Sequence, residues 1–266
     1  MFSKLRPKHP LTKRLVPLYV VSFTQWMCFW VATEKLFMTG IGFDAATIGL
    51  MAAIYAVFVP FIEIPSGILA DRWSRRGVLV IASLASMLSA LIAGFSYDVP
   101  TYIVSALVLG VFFALASGTF EAIVYDTVLE ENGDSKEFEK RIGRVRLFNS
   151  LGGLISALAG GAIAALASPR LTYFITIPIV GISVLALLKF REPQLHKMEV
   201  ATSLKQHIAT TYKTLLRKGQ LLPIVALLVL TSMLLQVLLE FGQLWLVVLS
   251  APTVFYGIAF AALLSA

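Results

Sequence analysis

Long apolar stretches broken by short charged ones set the rhythm of this chain. Runs long enough to cross a bilayer, about 20 residues as a helix, recur at roughly 15–38, 45–69, 77–97, 101–126, 143–167, 171–190 and 221–249. A further run begins near 252 and is cut at Ala266. None alternates strictly like a barrel strand, which is only about ten residues long. The pattern predicts an all-α membrane protein with about seven complete spanning helices and the start of an eighth. Two polar stretches have patterns of their own. Leu204, Ile208, Tyr212 and Leu215 recur at helical spacing with Lys and Gln opposite, which predicts an amphipathic surface helix over 203–218. The charge-dense stretch at 128–141 reads equally as a loop or a short helix.

Basic residues fall on one side of these spans. Of 22 Lys and Arg, five lie in the N-terminal tail (Lys4 to Arg14) and three after span 2 (Arg72, Arg75, Arg76). Five more lie after span 4 and at the foot of span 5 (Lys136 to Arg146), and seven after span 6 (Lys189 to Lys218). Only Arg170 and Lys35 fall elsewhere. By the positive-inside bias, the expectation is a multi-pass protein of the cell (cytoplasmic or inner) membrane with a cytoplasmic N-terminus. The basic start followed by an apolar run from Leu15 reads as a retained first span, because the run is too long for a signal peptide. The expected organisation is a six-helix domain over 1–190, a cytoplasmic linker over 191–219 and a partial second transmembrane domain over 220–266.

Composition agrees with a lipid-facing chain. It is 58% hydrophobic and 14% charged, with a mean hydropathy of +0.84. Soluble domains carry about 25% charge, so there are too few charges here to coat a soluble surface. The net charge of +7 does not point to nucleic acid, because the basic residues sit in gaps between apolar runs. Cys28 stands alone, which excludes an internal disulfide and a cysteine-based metal site. There is no phosphate-binding glycine loop and no zinc-type histidine pair. His9, His196 and His207 all fall between spans. No enzyme activity, cofactor or metal is expected, and an ion gradient is the implied energy source.

One loop carries a motif. Between spans 2 and 3 the chain reads Gly67-Ile68-Leu69-Ala70-Asp71-Arg72-Trp73-Ser74-Arg75-Arg76-Gly77. A glycine permits close approach of a helix end, and an acid at a membrane edge calls for the arginines beside it. The loop resembles the signature of the major facilitator superfamily, roughly G-x-L-a-D-r-x-G-r-[KR]. Gly67, Leu69, Asp71, Arg72, Arg75 and Arg76 match, and Ser74 replaces the usual glycine. Six spans followed by a cytoplasmic linker also resemble that family's half-molecule. The phrases around Glu63 to Gly67 and Ser117 to Asp126 are similar to bacterial facilitators of the drug-efflux kind. Two features of proton-coupled drug exporters are missing: an arginine within span 4, and a proline in the glycine pattern Gly152-Gly153 to Gly160-Gly161 of span 5. Those glycines read as helix-packing positions.

Three groups of residues are candidates for function. The signature loop is the first, as a gating element. The second is a charge network of Glu63, Glu121, Asp126, Arg144 and Arg146, at one depth in the cytoplasmic third. It is either a gate that breaks and remakes or a set of static ion pairs. The third follows from the resemblance, which implies a central cavity lined by spans 1, 4 and 7. Gln25, Trp26 and Trp30 of span 1 and Gln236, Glu240 and Gln243 on one face of span 7 would then meet substrate or protons, or form a hydrogen-bonding stripe between helices. Glu240 is the first candidate proton carrier. Glu34 and Lys35 read as a pair snorkelling at the outer surface.

The expected function is proton-coupled efflux of small organic, drug-like compounds, with metabolite uptake by symport as the alternative. Expected partners are the bilayer, a small-molecule substrate and a proton or other ion. Facilitators usually have about twelve spans in two similar halves. A fragment or truncated product is therefore expected, and with it a non-transporting remnant or a self-associating chain as a further reading.

Overall fold

The computed structural model describes residues 11–194 and 221–265. Among them are ten α-helices and no strand: α1 (Leu11–Gln25), α2 (Glu34–Gly40), α3 (Ala45–Arg72), α4 (Arg75–Phe95), α5 (Val99–Ala116), α6 (Thr119–Asn132), α7 (Phe138–Leu166), α8 (Pro169–Lys189), α9 (Leu221–Val248) and α10 (Val254–Ser265). The expected all-α membrane bundle is the fold. The amphipathic stretch at 203–218 lies outside the described residues.

Short polar loops place the helix starts. Asp44, Ser74, Asp98 and Ser168 each accept a hydrogen bond from the backbone N–H three residues on. That satisfies one of the donors a helix start leaves unpaired. Prolines follow at the starts of α5 and α8, where a missing N–H costs nothing. The stretch at 128–141 is mostly helical: α6 runs on to Asn132, Gly133 ends it in the left-handed region, and α7 begins at Phe138.

Two spans depart from the continuous helices expected. Span 1 is α1, an irregular stretch, a 3-10 turn at Val31–Thr33, and α2. Span 4 is α5 and α6, joined where Gly118 adopts φ +67°. Hydropathy marks a segment as membrane-embedded but does not fix its backbone path. A broken backbone persists at that depth only where protein or water satisfies the freed groups.

α1 lies at the centre of the six-span part, packed on α6, α7 and α8. Its apolar core divides in two. At the signature-loop end Leu15, Leu18, Leu79, Ile123 and Leu187 pack together. At the opposite end Trp30, Phe37, Met38, Tyr102 and Tyr173 do. Between these clusters lies a polar layer: Thr24 shares a hydrogen bond with Ser183 (2.6 Å), Gln25 donates to Ser83 (2.8 Å), and Phe29 N–H donates to Thr176 (3.1 Å).

The glycines of α7 pack against two partners. A Cβ on Gly152 would stand 2.3 Å from the carbonyl oxygen of Phe23, and one on Gly160 would stand 2.0 Å from that of Phe29. On the other side Gly161 meets Gly257 of α10, where an added Cβ would lie 2.7 Å from the glycine Cα. Only glycine permits backbones this close.

Candidate functional site

At one end of the bundle the signature loop is tied down on three sides. Arg75 donates to Asp126 Oδ2 at 2.6 Å and to Asp71 Oδ1 at 3.3 Å. The side chains of Arg75 and Asp126 are each only 11% exposed. Ser74 caps α4 through Gly77 N–H (2.8 Å) and donates to Glu192 Oε2 (2.7 Å), and Arg76 N–H donates to the other oxygen of that carboxylate (3.1 Å). The serine that departs from the family pattern is thus an N-cap and the docking point for the chain leaving α8. The Arg76 guanidinium also donates to the carbonyl of Phe190 (3.2 Å). Arg72 is exposed. A Cβ on Gly67 meets nothing within 4 Å, so the close approach expected there has no partner among the described residues.

The five members of the charge network do not form one cluster. Asp126 belongs to the signature loop. Glu121 pairs with Arg146 at 3.2 Å, and these side chains are 58% and 71% exposed. Glu63 accepts a hydrogen bond from Ser117, beside the break in span 4. Arg144 is exposed and has no acidic partner among the described residues. Glu63, Glu121 and Arg146 lie roughly 12–17 Å from the loop end of their helices, at 1.5 Å per residue. Charges at that depth face water or protein rather than hydrocarbon. All three are exposed among the described residues.

The interrupted first span holds a second polar centre at the opposite end. Lys35 is 1% exposed and donates to Glu34 Oε2 at 3.0 Å. The pair does not snorkel, because α5, α8 and α9 close over it. Tyr102 donates to Glu34 Oε1 at 3.0 Å, and its oxygen lies 2.9 Å from that of Tyr173. Since Tyr102 spends its one hydrogen on the carboxylate, Tyr173 is the donor in that second bond. Trp30 stacks on Tyr173 with ring centroids 5.4 Å apart. Arg170, a second cation at this end, lies against the rings of Phe37 and Tyr97 and donates to the carbonyl of Gly94 at 2.6 Å. The last turn of α4 and two ring faces thus stabilise its charge.

The span 1 and span 7 candidates separate. Gln25 is turned inward onto Ser83, and Trp30 is buried against Tyr173. Trp26 is 49% exposed at the start of the break. With its amide turned to satisfy both neighbours, Asn149 accepts from Trp26 Nε1 (3.2 Å) and donates to Ser22 O (3.1 Å). Gln243 is buried, donates to Val31 O at 2.8 Å and accepts from Lys35 N–H at 3.3 Å. The side chains of Gln236 and Glu240 lie outside the described residues.

Sequence reasoning missed several participants. Glu130 and Glu131 hold Arg14 at 3.0 and 2.7 Å, and Glu192 joins the loop to the end of α8. All three sit in charge-rich stretches that read as solvated. Adjacent opposite charges inside an apolar run were a usable signal for Glu34 and Lys35. Tyr102 and Tyr173 carried none, since tyrosine near a span end is ordinary.

The model of the Major Facilitator Superfamily matches residues 15–266. An uncharacterized MFS-type transporter of Mycobacterium tuberculosis is 30% identical over 148 residues, 55% of this chain and 34% of the relative. The MFS-type efflux transporter ffsH of Aspergillus flavipes is 26% identical over 184 residues, 66% of this chain and 31% of the relative. The chain thus spans about a third of the length of these curated relatives. Among solved structures, the nucleoside transporter NupG superposes with a TM-score of 0.69 at 19% identity, over 90% of this chain and 58% of that one. A D-xylose-proton symporter gives 0.64 at 16%, over 95% and 65%. The likeness to these two is one of fold. With the family model matching from the first span to the last residue, the chain belongs to the Major Facilitator Superfamily.

Proposed function

We propose that this secondary transporter exports small organic compounds in exchange for protons, with the signature loop on the cytoplasmic side. The observation that carries this reading is the exposure of three charges, Glu63, Glu121 and Arg146, in the part of the bundle nearer the signature loop. Solute entering from the cytoplasm would meet both signs of charge there, with Trp26 at the break in span 1. Amphiphilic organic molecules suit that mixture of one aromatic face and a few charges. Glu34 is half-buried beside a cation and two hydroxyls, and it and Glu240 of α9 are the carboxyls proposed to take the coupling proton. The efflux transporter among the relatives supports the direction. Proton-linked uptake is the second reading, favoured by the symporter among the structural neighbours.

Inverted vesicles given an acid interior test this reading. Native protein should concentrate an exported organic dye, and a protonophore should release it. Glu34→Gln should abolish the concentrating step while leaving dye equilibration. Accumulation that ignores the pH gradient would sink proton coupling. Gradient-driven loss of dye from the same vesicles would replace export by uptake.

A further inference from the structure

The break in span 1 frees backbone groups that an unbroken helix would pair internally. Some are satisfied within the six-span part. Thr176 accepts from Phe29 N–H (3.1 Å), and Ser156 donates to Trp26 O (3.3 Å). Two others are satisfied from across the linker. The carbonyl of Val31 and the N–H of Lys35 are both bonded by the one amide of Gln243, at 2.8 and 3.3 Å.

This role needs a primary amide. One end must accept from an N–H and the other must donate to a carbonyl. A carboxylate has no proton to donate, and an aliphatic side chain does neither. Gln243 is itself buried. Leu244 packs beside it on the Trp30 and Phe37 cluster, and Phe260 of α10 packs near Ala32 and Ala157. Toward the signature-loop end, by contrast, Leu227, Leu230 and Leu234 of α9 are exposed.

We infer that Gln243 is a positioning residue whose amide latches α9 to the break in span 1, holding the two parts closed at the end opposite the signature loop. Parting them there breaks both bonds together and leaves two backbone groups to be taken up by water or solute. The latch is independent of the proposed substrate, direction and coupling ion.

The chain carries its own reporter. Cys28 is its only cysteine and lies half-buried within the break. The full chain in membranes is treated with a membrane-impermeant maleimide, added on each face in turn, and the rate of Cys28 labelling is read. Gln243→Leu should raise the rate from the face opposite the signature loop by about tenfold, the factor expected from losing one to two kcal/mol of closure. Gln243→Glu, which keeps the acceptor but sets a carboxylate against the Val31 carbonyl, should also raise the rate, and it carries the test alone should the leucine variant fail to accumulate. Thr176→Val, which cuts a bond in the same break but within one part, should stay within about twofold of native. The inference is overturned by native rates in the Gln243 variants, by an equal rise in Thr176→Val, or by an equal rise from both faces. Since labelling needs no substrate, a failed dye assay and a failed latch are separate results.

Discussion

Replacing Gly160 by alanine adds one methyl group where the fold has no room for it. Its Cβ would stand 2.0 Å from the carbonyl oxygen of Phe29 and 2.9 Å from the carbonyl carbon. Carbon-to-oxygen contacts settle at about 3.3–3.6 Å, so α7 and span 1 must part by about 1.3 Å. Both sides of the contact are backbone, and no rotamer change can relieve it. Overpacking of this kind costs about 1–3 kcal/mol, against which alanine's better helix propensity returns up to about 1 kcal/mol. The net loss should lower the melting temperature in detergent by about 3–6 °C, at the 2–4 °C per kcal/mol usual for chains near this size. Gly143 supplies the control on the same helix. A Cβ there meets nothing within 4 Å, so Gly143→Ala should raise the melting temperature slightly. Gly152→Ala presses on Phe23 O in the same way as Gly160→Ala. Both separate the same two elements, so their double variant should lose less than the sum. Equal melting of Gly160→Ala and Gly143→Ala would refute the packing argument.

Three further outcomes are expected. Asp126→Asn should destabilise by about 3 kcal/mol, the low end for breaking a buried pair, because Arg75 keeps Asp71; Arg75→Gln in that background should cost little more, which a double-mutant cycle in thermal melts would check. Ser74→Ala should lose about 1–2 kcal/mol, since the α4 cap goes and the bond to Glu192 goes with it, whereas restoring the family glycine keeps most of the cap's worth; melting of the two variants side by side decides it. At the opposite end, backbone and side-chain hydrogen bonds from Thr101 hold the Asp98 carboxyl below the usual carboxylate range. A lowered folded-state value stabilises above the ordinary carboxylate pKa, and the effect is lost as pH falls through the lowered one. Asp98→Asn should therefore flatten the decline in melting temperature below about pH 4, and an unchanged acid limb would count against it.

Some of this architecture could be read from the residues alone. Span positions came out within a few residues, because bilayer thickness imposes a length on every apolar run. The loop from Gly67 to Gly77 identified the family, because its charges and spacing are unusual at a membrane edge. The interruption at Trp26 to Thr33 could not be read, since its residues are as apolar as their neighbours. What allows it is a set of partners more than a hundred positions away: Ser156, Thr176 and Gln243. The charge network split for a similar reason. Glu121 and Asp126 share a helix but face different ways, and helical phase alone does not say which cation each one meets. Lys35 misled because a long cationic side chain near a span end usually reaches water, and only the packing of three other spans over it shows that here it does not.

The divided first span also bears on the order in which the protein is made. The described part of α1 has 15 residues, about 22 Å of helix, less than a hydrocarbon layer of about 30 Å. It enters the membrane before Ser156, Thr176 and Gln243 have been synthesised. At that moment an interrupted backbone would leave its N–H and C=O groups bare in lipid, at several kcal/mol each. The expected course is that the segment crosses first as one unbroken helix through α2 and comes apart as later spans arrive. The break is therefore expected to form late in biogenesis, once the seventh span has brought Gln243 to it.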